Sequence, residues 1–288
     1  MRLSNYVGNT PLIKISERIW AKFEGFNPSG SIKDRMATYI IDHAEESGLL
    51  KKGDTIIEAT SGNSGIAFAF LGAERGYNVK IIMPANMSEE RKQMLKLYGA
   101  ELIEVEDGKF DEAIELRDKL AKDNGYFNPN QFHNPLNIES HYQITSEEII
   151  SQHCNIGVFL DGTGTGGTLM GIGRKLKEVN SDVKIVAVEP AESPVMSGGE
   201  SGLHGIQGIG DGSKFLVNLD EVDDIIVVST EDAKKRARKL SKEMGLFVGI
   251  SSGANILASE IFLEKNPDLK GDIITILCDR GERYLSCI

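Results

Sequence analysis

The chain has 288 residues, 40% hydrophobic and 26% charged, enough apolar material for one large domain or two modest ones. Its formal net charge of −11 argues against a surface built to grip nucleic acid or an anionic membrane, which needs clustered Lys and Arg. No apolar run of about 18 residues exists, and residues 1–14 lack a continuous apolar segment, so neither a membrane span nor a secretion signal is expected.

Short β-branched runs at 55–59, 79–84, 101–106, 158–161, 183–189, 224–228 and 273–277 read as strands. Amphipathic stretches lie between most of them. Met36, Tyr39, Ile40 and His43–Ala44 follow helical spacing. So do Met94, Leu95 and Leu97 after Ser88-Glu89-Glu90, and Ala233, Ala237 and Leu240 after Thr230-Glu231-Asp232. This alternation predicts an α/β protein with mostly parallel sheets, whose ligands collect at the carboxyl ends of the strands. It falls into two blocks, about 32–128 and 156 to the C-terminus, with an Asn- and Pro-rich crossover at 128–137. The glycine-crowded stretch 190–214 has no period, and a loop of that length is functional or mobile. Cys154, Cys278 and Cys287 form no CxxC pair, which fits a reducing, cytoplasmic compartment. The five histidines are scattered, His204 reads as a surface or hydrogen-bonded loop residue, and no metal site is expected.

Four segments carry chemistry. Asn27-Pro28-Ser29-Gly30-Ser31-Ile32-Lys33-Asp34-Arg35 is a tight turn running into a helical pattern. Lys33 there is either a solvated charge or, held in a pocket, a partly desolvated amine suited to a Schiff base. Thr60-Ser61-Gly62-Asn63-Ser64-Gly65 follows a strand and opens a helix. It offers hydroxyls and backbone N–H groups to a carboxylate or phosphate, beyond what a helix cap needs. Gly162-Thr163-Gly164-Thr165-Gly166-Gly167-Thr168 lets the backbone approach a phosphate at a helix N-terminus. With Glu189 at the end of the next strand it also matches a loose dinucleotide fingerprint. Gly249-Ile250-Ser251-Ser252-Gly253-Ala254 reads by itself as ordinary turn chemistry, although a serine there could bond a ring nitrogen.

Taken in order, these segments resemble the cysteine synthase (O-acetylserine sulfhydrylase) and cystathionine β-synthase family, the fold-type II enzymes dependent on pyridoxal 5'-phosphate. The resemblance starts at Gly8-Asn9-Thr10-Pro11-Leu12, includes Gln131-Phe132 and the loop from His204 to Gly210, and ends at Asp279-Arg280-Gly281-Glu282-Arg283-Tyr284. It implies a tryptophan synthase β-like fold of two three-layer α/β domains. Residues 34–137 would form a smaller, mobile domain, and 1–33 with 138–288 a larger one. It implies that Lys33 carries the cofactor as a Schiff base and later acts as the general base. Gly164, Thr165, Gly166, Gly167 and Thr168 would cradle the phosphate, Asn63 bond the ring hydroxyl and Ser251 the ring nitrogen. Thr60, Ser61, Ser64 and Gln131 would hold the substrate carboxylate. A serine at the ring nitrogen, rather than a carboxylate, should leave the ring less electron-withdrawing and favour β-chemistry over transamination. The dinucleotide reading then falls away, since the lysine segment has no role in it.

The implied reaction is β-replacement on a small serine- or cysteine-type amino acid, first of all O-acetyl-L-serine and sulfide to L-cysteine and acetate. The alternatives are an L-cysteine lyase that releases hydrogen sulfide and forms L-serine by water addition to aminoacrylate, a cystathionine- or lanthionine-forming β-synthase, a serine or threonine dehydratase, and a catalytically silent amino-acid sensor. Asp211 departs from the family pattern, standing where a small apolar residue is usual. It is either a solvent-pointing loop residue or a catalytic base that activates water or positions a second amino acid. Ser64 keeps the hydroxyl of the commoner threonine, and nothing accounts for Arg280 in place of serine. The resemblance also implies a homodimer, and a site at which the C-terminal tail of serine acetyltransferase could dock.

Overall fold

The strands fall into two separate sheets. The computed structural model describes residues 2–288; Met1, the first residue of the N-terminal stretch read above, lies outside the described residues. Strands β1 (Leu12–Lys14), β2 (Ile19–Phe23), β6 (Ile156–Gly162), β7 (Lys184–Pro190), β8 (Asp224–Val228) and β9 (Asp272–Leu277) form a six-stranded sheet in the order β1-β2-β9-β6-β7-β8. Only β1 runs antiparallel to its neighbour. Strands β3 (Thr55–Ala59), β4 (Asn78–Pro84) and β5 (Glu101–Val105) form a parallel three-stranded sheet. The helices are α1 (Lys33–Glu46), α2 (Asn63–Arg75), α3 (Glu89–Leu97), α4 (Phe110–Asn124), α5 (Pro135–Ser140), α6 (Ser146–Gln152), α7 (Gly167–Val179), α8 (Thr230–Met244) and α9 (Ile250–Lys265).

The small sheet is covered on both faces, as parallel sheets must be. Ile56, Ile81 and Met83 join a core with Met36 and Ile40 of α1 and with Ile66 and Phe68 of α2. Their neighbours Ile57, Ala59 and Ile82 face the opposite way, against Ala113 and Ala121 of α4. In the large sheet, Val158 and Leu160 of β6 pack with Ala254 and Ala258 of α9, while Phe159 between them packs with Leu169 and Ile172 of α7. Two-sided burial is why these strands read as continuous apolar runs.

All seven expected strands are present, with ends shifted by no more than two residues. β1 and β2 were not anticipated. β1 is three residues long, and β2 carries a fully buried lysine, Lys22. The crossover at 128–137 is shorter than expected, because Asn134 accepts from the Leu136 amide and starts α5 at Pro135. Residues 191–218 hold no helix or strand, as expected.

Buried ions anchor the segment before α1. Glu24 and Glu148 clamp Arg35, with Nε–Oε2 at 2.6 Å to Glu24 and Nη1–Oε1 at 2.8 Å to Glu148. Lys22 Nζ lies 2.7 Å from Glu148. Burial raises the Glu148 carboxyl, but Arg35, Lys22 and the Asn9 amide outweigh it and hold the group down at about 2. A carboxyl depressed from its ordinary 4.5 adds stability that is complete above about pH 4.5 and is lost as pH falls toward 2. The full shift corresponds to about 3 kcal/mol. Acid titration of the melting temperature should therefore show a loss between pH 4.5 and 2 that Glu148→Gln removes, at the cost of a lower stability at neutral pH. Parallel acid profiles for the two proteins would contradict this.

Candidate active site

Lys33 is the first residue of α1, and the turn before it is tightly specified. The Gly30 amide donates to Asn27 O at 2.8 Å, with Gly30 at φ +91°, a conformation that favours glycine. Ser31 bridges to Asp279, and the Ile32 amide donates to Cys278 O at 2.9 Å. The turn is thus tied to the C-terminal end of β9. Asp34 accepts from the Ser29 amide at 2.6 Å and from the Ser29 hydroxyl. Burial is the main influence on the Asp34 carboxyl and raises it to about 6.

The 60–65 loop leaves β3 and enters α2. The Gly62 amide donates to Thr60 Oγ1 at 3.0 Å. Ser64 Oγ donates to Gln131 Oε1 at 2.5 Å, and Gln131 Nε2 to Ala59 O at 3.1 Å. Asn63 Nδ2 donates to Asp279 Oδ2 at 2.6 Å, while Asn63 Oδ1 is buried without a hydrogen-bond partner. Arg91 ties this loop to the rest of the molecule. It donates to Ser61 O at 2.9 Å, to Tyr284 Oη at 2.6 Å and to the Gln207 side chain.

The 162–168 loop joins β6 to α7. Gly166 has φ +87°, and a Cβ on Gly164 would stand 2.5 Å from Gly208 O. The glycine-rich 204–212 loop therefore lies directly on it, and the Gly210 amide donates to Thr163 O at 2.9 Å. Thr165 Oγ1 accepts from Asn137 Nδ2 at 3.0 Å. Thr168 Oγ1 is 3.3 Å from His141 Nε2. Burial, then the charges of Lys33 and Arg35, push His141 well below the usual imidazole range, so it is neutral. Ser251 lies buried in the first turn of α9.

One cleft joins these segments. Lys33, Thr60, Ser61, Asn63, Ser64, Gln131, Thr165, Thr168, Asp211 and Ser251 all line it. Gly164, Gly166 and Gly167 do not line it; they shape the loop from behind. Asp211 is half-buried and faces the cleft rather than bulk solvent. Burial raises its carboxyl, opposed by the charges of His204, Lys33 and Arg91. His204 is hydrogen-bonded within its loop, with Nε2 3.1 Å from Gly210 O and Nδ1 accepting from the Ile206 amide at 3.2 Å. Sequence reasoning missed Asp161, Gln207 and Cys278, which also line the cleft, and Arg91 behind it. A polar residue closing an apolar strand just before the 162–168 glycines was the one signal for Asp161.

The donor set fits a phosphorylated aromatic aldehyde. The start of α7 offers its helix N-terminus to an anion, and Lys33 presents an amine. Asn63 Oδ1 needs the donor that a ring hydroxyl supplies. Among the described residues, no group of three or more His, Cys, Asp or Glu is placed to hold a metal ion, and no helix is long and apolar enough to cross a membrane.

Known proteins agree with this chemistry. Residues 3–279 match the family model described as pyridoxal-phosphate dependent enzyme. A cysteine synthase of Staphylococcus aureus (strain N315) is 43% identical over 299 residues, covering 99% of this chain and 95% of the relative. The crystal structure of a hydrogen sulfide-producing enzyme from Fusobacterium nucleatum superposes with a TM-score of 0.92 at 43% identity, over 99% of this chain and 90% of the other. A cysteine synthase from Entamoeba histolytica gives 0.89 at 42%, over 99% and 89%. On this evidence the chain belongs to the pyridoxal-phosphate-dependent enzymes, with the fold-type II architecture and with pyridoxal 5'-phosphate as its cofactor.

Proposed function

We propose that this enzyme is a cysteine synthase that carries out β-replacement, converting O-acetyl-L-serine and sulfide to L-cysteine and acetate. The observation that carries the reading is the meeting of Lys33 with the Thr60–Ser64 loop and Gln131 in one cleft. Lys33 would hold the cofactor covalently, Asn63 its ring hydroxyl, Ser251 its ring nitrogen, and Gly164, Thr165, Gly166, Gly167 and Thr168 its phosphate. When bound, the cofactor supplies an electron sink for the pair left at the substrate α-carbon. Thr60, Ser61, Ser64 and Gln131 orient the substrate carboxylate. Ser64 Oγ now donates to Gln131, so an arriving carboxylate takes over that donor. Lys33 Nζ, once released from the cofactor, removes the α-proton and later returns it.

Incubation of the cofactor-loaded enzyme with O-acetyl-L-serine and sulfide should yield cysteine and acetate in equal amounts. No acetate release from O-acetyl-L-serine would overturn the reading.

Asp211 supports a second reading, the L-cysteine lyase. L-cysteine and water would give L-serine and hydrogen sulfide: the bond from the β-carbon to sulfur would break as sulfide leaves, and the Asp211 carboxylate would take a proton from water as the water oxygen bonds to that carbon. Asp211→Asn should then lower sulfide release from L-cysteine alone by about 10²-fold. An unchanged rate would remove Asp211 from the chemistry.

The proposal extends to the frame around the site. Residues 34–137 would move as one smaller domain against 1–33 with 138–288, closing on the carboxylate and excluding water. The enzyme would work as a cytoplasmic homodimer. The terminal carboxylate of a serine acetyltransferase tail would compete with substrate at the Thr60–Ser64 loop.

A further inference from the structure

Arg91 sits in the first turn of α3, fully buried, and does not itself line the cleft. Nη1 donates to Ser61 O at 2.9 Å and to the Gln207 side chain. Nη2 donates to Tyr284 Oη at 2.6 Å, and the guanidinium lies 4.8 Å from the centre of the Tyr284 ring. The stem runs directly against Gly62. A Cβ there would stand 2.4 Å from Arg91 Cδ and 2.7 Å from Nε, and Gly62 has φ +148°. The 60–65 loop is therefore moulded over this one side chain, with glycine required at the closest approach.

The start of α3 is fastened to the C-terminal segment. Ser88 Oγ donates to Arg283 O at 2.9 Å, and Ser286 donates through its amide and its hydroxyl to the two Glu90 carboxylate oxygens, each at 2.8 Å. Arg283 in turn donates to Ser29 O, in the turn that carries Lys33. The Ser61 carbonyl and Lys33 thus share one frame, although they come from separate segments.

A backbone oxygen turned toward an incoming carboxylate repels it, whereas amides and hydroxyls attract it. We propose that Arg91 is a positioning residue for the substrate carboxylate: it holds the Ser61 carbonyl off the cleft and fixes the spacing between the Thr60–Ser64 loop and Lys33. This rests on the reading of that loop as the carboxylate site. Asp279 Oδ2 lies 3.8 Å from Arg91 Nη2 and balances its charge locally. The guanidinium therefore acts through the shape of its fork, not as a counter-charge felt through the loop.

The test is titration of the cofactor-loaded enzyme with L-serine, followed by the change in the cofactor's visible absorbance, beside the Kd of pyridoxal 5'-phosphate for the same proteins. L-serine carries the amine and carboxylate of the substrate class, whichever group leaves. Arg91→Lys should raise the Kd for L-serine by about 30-fold and leave that of the cofactor within about threefold of wild type. An ammonium keeps the charge but cannot span Ser61 O and Tyr284 Oη as the fork does. Arg91→Met should behave alike; where it fails to fold, the lysine variant decides. An L-serine affinity unchanged in Arg91→Lys overturns the proposal. So does an equal loss of cofactor affinity, which marks a purely structural role. Ser64→Ala separates the two claims. If it weakens L-serine and Arg91→Lys does not, only the role of Arg91 falls; if neither does, the loop is not the carboxylate site.

Discussion

Lys33→Ala will lower cysteine formation by about 10³-fold or more while leaving the protein folded. In the proposed reaction this side chain supplies both the covalent hold on the cofactor and the base for the α-proton, and no other lysine lines the cleft. The fold does not depend on it. Hydrogen bonds that place the turn run through the backbone of Ile32 and Gly30, and the Ser31–Asp279 bridge is also main-chain. Lys33→Arg should fail equally, because a guanidinium stays protonated and cannot act as a nucleophile or base near neutral pH. The check is a steady-state assay beside a thermal melt. Loss of rate with an unchanged melting temperature is the expected pair, and a variant retaining a tenth of wild-type activity would contradict the role of Lys33.

Arg35→Met will destabilise the protein by about 3–5 kcal/mol. Arg35 is fully enclosed, as is Glu24 beneath it, and the pair has no water to fall back on. Removing the guanidinium strands the Glu24 carboxylate, whose remaining donors are Thr10 Oγ1 at 2.7 Å and Asn27 Nδ2 at 2.6 Å. Asn27 in turn opens the turn that carries Lys33. The loss should therefore appear in cofactor affinity as well as in the melting temperature. Arg35→Lys should recover little, since one ammonium cannot span both carboxylates as the guanidinium fork does. Chemical denaturation of the three proteins measures this, and a methionine variant within 1 kcal/mol of wild type, about the cost of an ordinary substitution, would contradict it.

The legible parts of the molecule were those fixed locally. Residues 55–59 and 224–228 are strands of parallel sheets in which every β-branched residue but Val227 is buried or half-buried, and the pattern alone located them to the residue. The glycine and hydroxyl loops at 60–65 and 162–168 were visible because each has the distinctive composition that suits a helix N-terminus to an anion. What escaped depends on contacts across long stretches of chain. Lys22 argues against a buried strand until Glu148, more than a hundred residues away, is brought to it. Arg91 looks like a solvated helix residue, yet it holds Ser61 and Tyr284 together from α3. Asp161 and Cys278 have no local signature, and only the Asn255 amide joins them. Asp211 was noticed as a departure, but whether it faced solvent or the cleft was decided by how the 204–212 loop folds onto Gly164.

The most direct test of the account is borohydride reduction of the holoenzyme followed by peptide mapping by mass spectrometry. A single reduced cofactor adduct on Lys33 is expected, lost when O-acetyl-L-serine is added before reduction. An adduct on any other lysine, or one insensitive to the substrate, would contradict it.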